Sequence, residues 1–337
     1  MSTEIGSTPV TTQTTVADQP VAAWRRYLRG NELVLVVVLI AELILFSSLS
    51  PYFLDLQNLL DTSRFFAESG LVALGMTLVI VTGGIDLSVG ALLALVSVSI
   101  GFTYAAGVPF GVSLLIGLLA GLIGGFFNGY LISVLNLSPL AVTLGTFSLF
   151  RGLAYVISDA GAVSDFPSWF AYFGQYYVGG YVPLQLIVFA VAAVIIGILL
   201  SRGRFGRGVV GVGLNARTTR MSGIPVNKTV LTVYVLVGLL VAIAAMIYTS
   251  RVSTSRANAG LGLELTAIAA VVLGGSNIKG GSGSIIGTVL GVLILAFLSQ
   301  GMILVGASTS VALMIQGAVL VIAVFVNEIV RRRQKKF

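Results

Sequence analysis

The sequence predicts an all-α fold: a polytopic membrane protein with about ten transmembrane helices and both termini in the cytoplasm. Hydrophobic residues make up 57% of the 337-residue chain and charged residues only 9%, whereas a soluble domain is roughly half apolar and one-quarter charged. Apolar runs recur along the chain, many of them close to the roughly 17–25 residues that cross a hydrocarbon layer. Most basic residues, moreover, fall between alternate spans.

The helices follow from apolar runs that end at charged residues, prolines and glycine clusters. The first half of the chain contains candidate helices at 33–49, 66–82, 87–104, 110–134 and 139–158. The second half contains candidate helices at 183–200, 229–250, 263–275, 284–304 and 310–329. This even number places both termini on the same side of the membrane.

The chain divides into three regions. Residues 1–30 are rich in Ser and Thr and predict a disordered cytoplasmic tail. They are not a signal peptide, because the first arginines come after the tail and precede a full-length span. Residues 31–330 form the transmembrane domain, with a polar cytoplasmic loop at about 201–228, and residues 331–337 form a basic cytoplasmic tail.

The distribution of basic residues tests this orientation, because cytoplasmic segments of membrane proteins are enriched in Lys and Arg. With both termini inside, 15 of the 19 basic residues are cytoplasmic. They are Arg25, Arg26, Arg29, Arg202, Arg204, Arg207, Arg217, Arg220, Lys228, Lys279, Arg331, Arg332, Arg333, Lys335 and Lys336. Only Arg64, Arg251 and Arg256 lie outside, and Arg151 falls within the fifth helix. The net charge of +7 therefore reflects membrane orientation and predicts no nucleic-acid partner.

The missing residue types exclude several chemistries. The chain has no Cys and no His, which removes disulfides, the usual zinc ligands and a Ser/His triad. No Gly-x-x-x-x-Gly-Lys-Ser/Thr loop can be built around any of its four lysines. We therefore expect no metal site and no bound cofactor, and no ATP hydrolysis through such a loop.

Two glycine ladders predict close helix packing, because small residues four apart let helix backbones approach in lipid. They are Gly117, Gly121, Gly125 and Gly129 in the fourth helix, and Gly283, Gly287 and Gly291 around the start of the ninth.

The cytoplasmic loop carries the signals of a short helix. Asn215 can cap it, Gly223 can end it and Pro225 prevents its continuation. Arg217 and Arg220 then share one face, three residues apart. Such an element can dock on a cytoplasmic partner. The alternative is a topogenic loop whose arginines meet only anionic lipid.

A polar break, VTGGIDLSVG, interrupts the apolar sequence at 81–90. Gly83 and Gly84 allow the chain to turn. Asp86 and Ser88 then stand where N-cap residues start the next helix, so they can satisfy free N–H groups. The alternative for Asp86 is direct contact with a substrate or a proton, since an ionisable group in a span is a functional suspect. Its place at a helix end favours capping.

Two more charges fall within spans. Glu42 lies in the middle of the first helix and Arg151 inside the fifth. Either one is costly against lipid, so both should face the bundle or a partner subunit. We expect Arg151 to have a buried acceptor, with Glu42 as a candidate, and we favour a stabilising role over a catalytic one.

Four blocks of sequence then occur in a specific order. The first is LGMT at 74–77 followed by TGGIDLSVG at 82–90, and the second is TLGT at 143–146 with RG at 151–152. The third is RFG at 204–206 with Asn215 and SGI at 222–224, and the fourth is AG at 259–260 and EL at 264–265 through AIAAVVLGG at 267–275. Over about residues 33–330 these blocks resemble the ribose-type permease subunits of bacterial ABC importers.

The resemblance implies a bacterial inner-membrane permease with ten helices that works with a second permease subunit, identical or different. It also implies ABC ATPase subunits, which bind ATP and Mg²⁺, and a periplasmic sugar-binding protein. In that family the loop matching 215–224 contacts the ATPase. This assigns coupling to Asn215, Arg217, Arg220, Ser222, Gly223 and Ile224. Relatives commonly carry acidic residues and alanines after the asparagine, whereas Arg217 stands here, so we expect a more acidic groove on this ATPase.

The resemblance also places the translocation path or its gate at the two glycine-rich breaks. These positions are Gly83, Gly84, Asp86, Ser88, Gly274 and Gly275. Sugars are held by hydroxyl and amide groups and by aromatic faces, which adds Asn128, Thr143, Thr146, Phe147 and Phe150. The alternative for the aromatic residues is packing or an interfacial belt, which we expect for Trp169, Tyr172, Tyr176 and Tyr177.

The function that follows is import of a monosaccharide or related small polar solute, driven by ATP hydrolysis on a partner. One alternative is a secondary carrier driven by an ion gradient, against which stands the scarcity of acids within the membrane. Another is a membrane-embedded enzyme, against which stands the lack of His, Cys and clustered acids. Pentoses, hexoses, deoxysugars, polyols, autoinducer-like furanoses and nucleosides all remain open as solutes.

Overall fold

The computed structural model describes residues 30–334, and its long elements are all α-helices. The first group comprises α1 (Gly30–Leu49), α2 (Leu56–Val81), α3 (Val89–Ala105), α4 (Phe110–Ser133) and α5 (Pro139–Ser158). A small cap follows, with β1 (Ala162–Val163), a 3-10 turn (Ser168–Phe170), α6 (Ala171–Gln175), β2 (Tyr177–Val178) and β3 (Val182–Pro183). The second group comprises α7 (Leu184–Ser201), α8 (Gly203–Met221), α9 (Val226–Val252), α10 (Leu263–Leu273), α11 (Ile285–Leu304) and α12 (Thr309–Gln334).

The two strand pairs belong to the cap. β2 and β3 form an antiparallel hairpin, while β1 pairs antiparallel with β4 (Ser255–Arg256), which follows α9. The bundle therefore has two distinct ends. We call the end that carries these strands the cap end, and the opposite end, where α8 lies, the junction end.

The chain is an all-α polytopic membrane protein, as predicted. Within residues 30–334, seven helices are long and apolar enough to cross a membrane. Three apolar helices are shorter: α3, α10 and the stretch Ser310–Val319 of α12. Each of the ten predicted helices has an observed counterpart, but a count of ten spans remains a prediction. Residues 1–29 of the predicted tail at 1–30 lie outside the described residues, as do residues 335–337. α12 already contains the start of the predicted basic tail.

α2 begins ten residues earlier than predicted, at Leu56 rather than residue 66. The Asp55 side chain caps it by accepting a hydrogen bond of 3.1 Å from the Asn58 N–H. Arg64 in this extension donates to the Tyr177 hydroxyl at 2.8 Å. The polar residues at 56–65, which the sequence placed in a loop, thus extend α2 into the cap. They can do so because cap residues such as Tyr177 form hydrogen bonds with them.

The glycine ladders allow the predicted close contacts. A methyl group on Gly125 of α4 would overlap the Tyr234 carbonyl oxygen, and one on Gly121 would lie 2.7 Å from the Gly238 carbonyl oxygen, both on α9. On α11, methyl groups at Gly287 and Gly291 would overlap carbonyl oxygens of Gly274 and Ala270. Helices α4 and α9, and α10 and α11, therefore pack backbone against backbone.

α10 does not cross the membrane by itself. Its 11 residues span about 16 Å, roughly half of a hydrocarbon layer. The preceding segment at 257–262 runs from β4 into the bundle, where a methyl group at Gly90 of α3 would overlap the Gly260 carbonyl oxygen. Irregular backbone at membrane depth is tolerated where it is buried in protein or lines an aqueous cavity.

α8 replaces most of the predicted cytoplasmic loop. The sequence predicted only a short helix after Asn215, but helical structure begins at Gly203 and is broken at Asn215, where φ is −164° and ψ is 104°. Glycine is a poor helix former, so the glycine-rich sequence before Asn215 did not predict a helix. Packing compensates: methyl groups at Gly206 and Gly213 would overlap backbone atoms of Leu200 and Val81.

Candidate functional site

The polar break after α2 holds a buried hydrogen-bond cluster. Asp86 Oδ1 accepts from the Ser88 N–H at 2.8 Å and from the Ser88 hydroxyl at 2.7 Å. Asn128 Nδ2 on α4 donates to Ser88 Oγ at 2.8 Å, and Thr143 on α5 donates to the Ile85 carbonyl at 3.1 Å. Four of the predicted path residues are therefore brought together. All four are at most 2% exposed, so they hold the break in place.

The expected capping role of Asp86 is corrected by this geometry. α3 begins at Val89 with Ser88 as its N-cap residue, and the Ser88 side chain makes no capping hydrogen bond. Asp86 instead accepts the N–H of a residue that precedes the helix. Because the carboxylate closes the loop on itself, it orders the break rather than the helix.

Arg151 has a buried acceptor, but that acceptor is not Glu42. Its Nη1 donates to the carbonyl oxygens of Ala257 and Ala259 at 2.6 and 2.7 Å. The Glu42 carboxylate makes no hydrogen bond to any residue in the range 30–334. Arg151 thus holds the segment that leads into α10, because bare carbonyls in the membrane need a donor.

Three further predicted path residues on α5, Thr146, Phe147 and Phe150, contact other residues of the protein. The Phe147 ring centroid lies 6.0 Å from the Arg151 guanidinium carbon. Phe150 is 4% exposed, and Thr146 donates to the Thr143 carbonyl at 3.4 Å. These contacts favour a structural role for the three side chains.

The two glycine-rich breaks meet at the junction end. Gly83 and Gly275 both have left-handed backbone, with φ of 85° and 83°. The Gly281 N–H donates to the Val81 carbonyl at 2.9 Å, and a methyl group on Gly280 would lie 2.8 Å from the Gly83 Cα. This contact joins the loop after α2 to the loop after α10. Gly84 contacts α9 rather than the loop after α10, since a methyl group on Gly84 would lie 3.0 Å from the Tyr234 hydroxyl.

α8 packs against the same two loops. A methyl group on Gly213 would overlap the Val81 carbonyl oxygen and would lie too close to the Gly281 nitrogen. We call Gly83, Gly213, Gly280 and Gly281 the glycine junction. The hydroxyls of Thr77 on α2 and Thr288 on α11, both fully buried, are 2.7 Å apart. At the junction end, α8 and the loops after α2 and α10 are therefore packed together.

The last turn of α8 is built as the sequence predicted. Asn215 Oδ1 accepts from the Thr218 N–H at 3.0 Å, which is an N-cap hydrogen bond. The helix ends at Met221, and Gly223 has a φ of 78°. Ser222 donates back to the Thr218 carbonyl at 3.1 Å, and Ile224 is half-buried.

This turn is exposed and partly apolar. Leu214 and Met221 are 72% and 76% exposed, and Arg217 is also exposed. Arg220 differs, because its Nη2 donates to Asn227 Oδ1 at 2.8 Å. Within the described residues Arg217 has no hydrogen bond or ion pair, so it is the freer of the two predicted coupling arginines.

A cavity of about 560 Å³ lies toward the cap end. Its walls come from α2, the end of α9, residues 258–263, α10, α11 and the start of α12. Along α11 the wall runs from Val292 to Ile303, a distance of about 16 Å. None of the path residues predicted on α4 and α5 lines this cavity.

Sequence reasoning missed the charged pair at this cavity. Arg251 Nε donates to Glu68 Oε1 at 2.7 Å and Nη2 to Oε2 at 3.1 Å. The Arg251 guanidinium carbon also lies 5.2 Å from the Phe65 ring centroid and 5.5 Å from that of Tyr248. The signal was present in the sequence, since opposite charges in two apolar helices point to a buried pair.

The cap ties α2 to the segment between α5 and α7. Tyr177 donates to Asp61 and accepts from Arg64. Burial of the Tyr177 hydroxyl, together with the hydrogen bond to Asp61, raises its pKa. The hydroxyl therefore stays protonated and donates its hydrogen bond to Asp61. Trp169 and Phe170 pack against Phe110 in a ring cluster. The rings of Tyr172 and Tyr176 contact each other at a tilt of 47°, with centroids 5.0 Å apart.

These features define a class of protein: a polytopic membrane protein with a cavity toward its cap end. At the opposite end, two glycine-rich breaks pack beneath a helix with an exposed last turn. In the part of the chain that the structure describes, no three His, Cys, Asp or Glu residues group as metal ligands.

Residues 58–324 match the family described as the permease component of the branched-chain amino acid transport system. The chain belongs to this family. It is also 38% identical over 312 residues, 91% of this chain and 94% of the relative, to the autoinducer 2 import system permease protein LsrD of Escherichia coli K12. The same protein of Shigella flexneri shows the same identity and coverage. No solved structure matches the chain significantly.

The chain is thus the permease subunit of an ABC importer and a transport subunit rather than an enzyme. Membership of such a system implies an ATPase partner and a binding-protein partner, and multi-pass residence in a membrane.

Proposed function

We propose that this chain forms half of the membrane channel of a bacterial inner-membrane importer, with ten spans and both termini in the cytoplasm. A second permease subunit completes the channel, ATPase subunits bind ATP and Mg²⁺ below it, and a periplasmic binding protein delivers the solute above it. The cap end then faces the periplasm and the junction end faces the cytoplasm.

The observation that carries this proposal is the contact of α8 with both breaks. Gly213 lies against Val81 and Gly281, while Leu214 and Arg217, which follow it in the chain, are exposed. A partner that moves the exposed turn can move the glycine junction with it, because only Leu214 and the break at Asn215 separate Gly213 from that turn. ATP binding can then bias the junction between closed and open states.

For the solute, we propose a small polyhydroxylated molecule, either a monosaccharide or autoinducer 2. The relatives named above import autoinducer 2 by name. Their identity to this chain extends over nearly its whole length, so a solute of similar size and polarity is expected.

Reconstitution tests this function. The chain is purified with its ATPase, second permease subunit and binding protein, placed in proteoliposomes, and supplied with labelled autoinducer 2 or D-ribose. Uptake should require ATP and the binding protein. Uptake by the chain alone along a proton or sodium gradient would instead support a secondary carrier and overturn the proposal.

A further inference from the structure

We propose that the cavity at the cap end is a solute-binding site of this permease, shaped for a small, neutral, polyhydroxylated molecule. This inference rests on the proposed function and assigns its binding site. The cavity volume of about 560 Å³ falls within the roughly 300–1,000 Å³ of small-molecule sites. Its floor at Leu93, Ala270 and Val292 lies deep in the bundle, roughly halfway across a hydrocarbon layer.

The cavity offers hydrogen-bonding groups with spare capacity. The Ser299 hydroxyl makes no hydrogen bond within residues 30–334, and the Thr266 hydroxyl makes only a long one, 3.3 Å, to the Gly262 carbonyl. Gln300 Nε2 donates to Asn58 Oδ1 at 3.0 Å, which leaves its amide oxygen as an unused acceptor. Hydroxyl and amide groups of both donor and acceptor character suit a solute that carries several hydroxyls.

The charges in the wall favour a neutral solute. Glu68 and Arg251 bind each other through two hydrogen bonds, so the pair has no net charge. A charged solute at this depth would need an opposite charge that the wall does not provide. The rings of Phe65 and Tyr248 flank the pair and offer an apolar face beside it.

The non-helical backbone ahead of α10 also indicates that the cavity holds water. Residues Gly260, Leu261 and Gly262 line it ahead of α10, in the segment that Arg151 holds within the bundle. Such non-helical backbone at membrane depth is not stable against lipid. Interrupted helices with this geometry are used by transporters at their substrate sites.

Thiol labelling tests the site, because the chain has no cysteine of its own. Ser299→Cys and Thr266→Cys are prepared separately in the assembled transporter and treated with a hydrophilic methanethiosulfonate. Ser97→Cys is the control, because Ser97 is fully buried between α3 and α9 and does not line the cavity. The two cavity thiols should react and the control should not.

The solute should protect these thiols. We use whichever of autoinducer 2 and D-ribose the unaltered transporter accumulates. Labelling should slow roughly tenfold at about ten times the midpoint concentration, since about a tenth of the sites then remain free. Cavity thiols that do not react would indicate a lipid-filled space and overturn the assignment. Reaction that the transported solute never slows would do the same.

A second measurement avoids the cysteine variants. Gln300→Leu should lower the uptake rate about fivefold through one lost hydrogen bond, with ATP hydrolysis retained. Gln57→Leu is the matched control, because Gln57 is exposed and lies outside the cavity. Equal uptake by both variants would count against the site. If the unaltered assembly accumulates neither solute with ATP, the proposed function fails instead, which separates the two outcomes.

Discussion

Gly213 of α8 lies so close to Val81, the last residue of α2, that a methyl group on Gly213 would overlap the Val81 carbonyl oxygen. The same carbonyl accepts the Gly281 N–H at 2.9 Å. The Val81 carbonyl group therefore links the helix proposed to meet the ATPase with the loops after α2 and α10. Motion of the part of α8 before Asn215 should therefore displace both loops.

Gly213→Ala should separate ATP hydrolysis from transport. The added methyl group forces α8 away from Val81, at a cost of about 1–3 kcal/mol as in overpacked cores. We expect uptake to fall while ATP hydrolysis continues. Gly111→Ala is the control, because nothing lies within 4 Å of a methyl group there. Normal uptake by Gly213→Ala would show that the contact does not transmit motion.

Charge reversal at the exposed turn should also uncouple ATP hydrolysis from transport. The variants at Arg217 and Arg220 should differ in their thermal stability. Arg217→Glu removes a charge with no partner in the described part of the chain, so coupling should fall without loss of stability. Arg220→Glu also loses the hydrogen bond to Asn227 and should lower the melting temperature slightly. Asn227→Ala isolates that second effect. Unchanged coupling with both arginines replaced by Glu would contradict a docking role.

The cap at Asn215 should matter through its side-chain acceptor. Asn215→Ala removes the hydrogen bond to the Thr218 N–H and should destabilise the turn by about 1 kcal/mol, with weaker binding of the ATPase. Asn215→Ser retains a capping oxygen and should restore most of that binding. Equal loss in both variants, measured by copurification, would instead indicate that the ATPase touches the amide directly.

Arg151 and Glu42 should respond differently to neutral replacement. Arg151→Met leaves the Ala257 and Ala259 carbonyls without their donor and should cost at least about 3 kcal/mol, given roughly 1.5–3 kcal/mol for each hydrogen bond to a charged group. Glu42→Gln breaks no hydrogen bond to the described residues and should leave thermal stability unchanged. A Glu42→Gln variant that unfolds readily would indicate a contact with a second subunit.

Labelling from opposite sides should establish the orientation. Tyr181 in the cap is 68% exposed, and Thr218 lies in the exposed turn of α8. In whole cells, Tyr181→Cys should react with an impermeant maleimide, whereas Thr218→Cys should react only after the membrane is opened. The reverse pattern would place the cap in the cytoplasm and refute the proposed topology.

The sequence by itself determined the membrane class, the order and rough location of the ten apolar helices, and the capped turn at Asn215. Apolar run length and capping chemistry are local properties, so spacing along the chain was enough. The glycine ladders also indicated close packing, although not which helices would meet.

Only the tertiary structure decided what the interior polar groups do. Asp86 orders its own loop, Arg151 binds two carbonyls instead of Glu42, and Glu68 meets Arg251, 183 residues away in the chain. The glycine-rich half of α8 is helical despite its low intrinsic propensity, because Gly206 and Gly213 pack closely against the backbone of other segments. The partner of a buried polar group is set by which distant segments pack together, and local sequence carries little of that information.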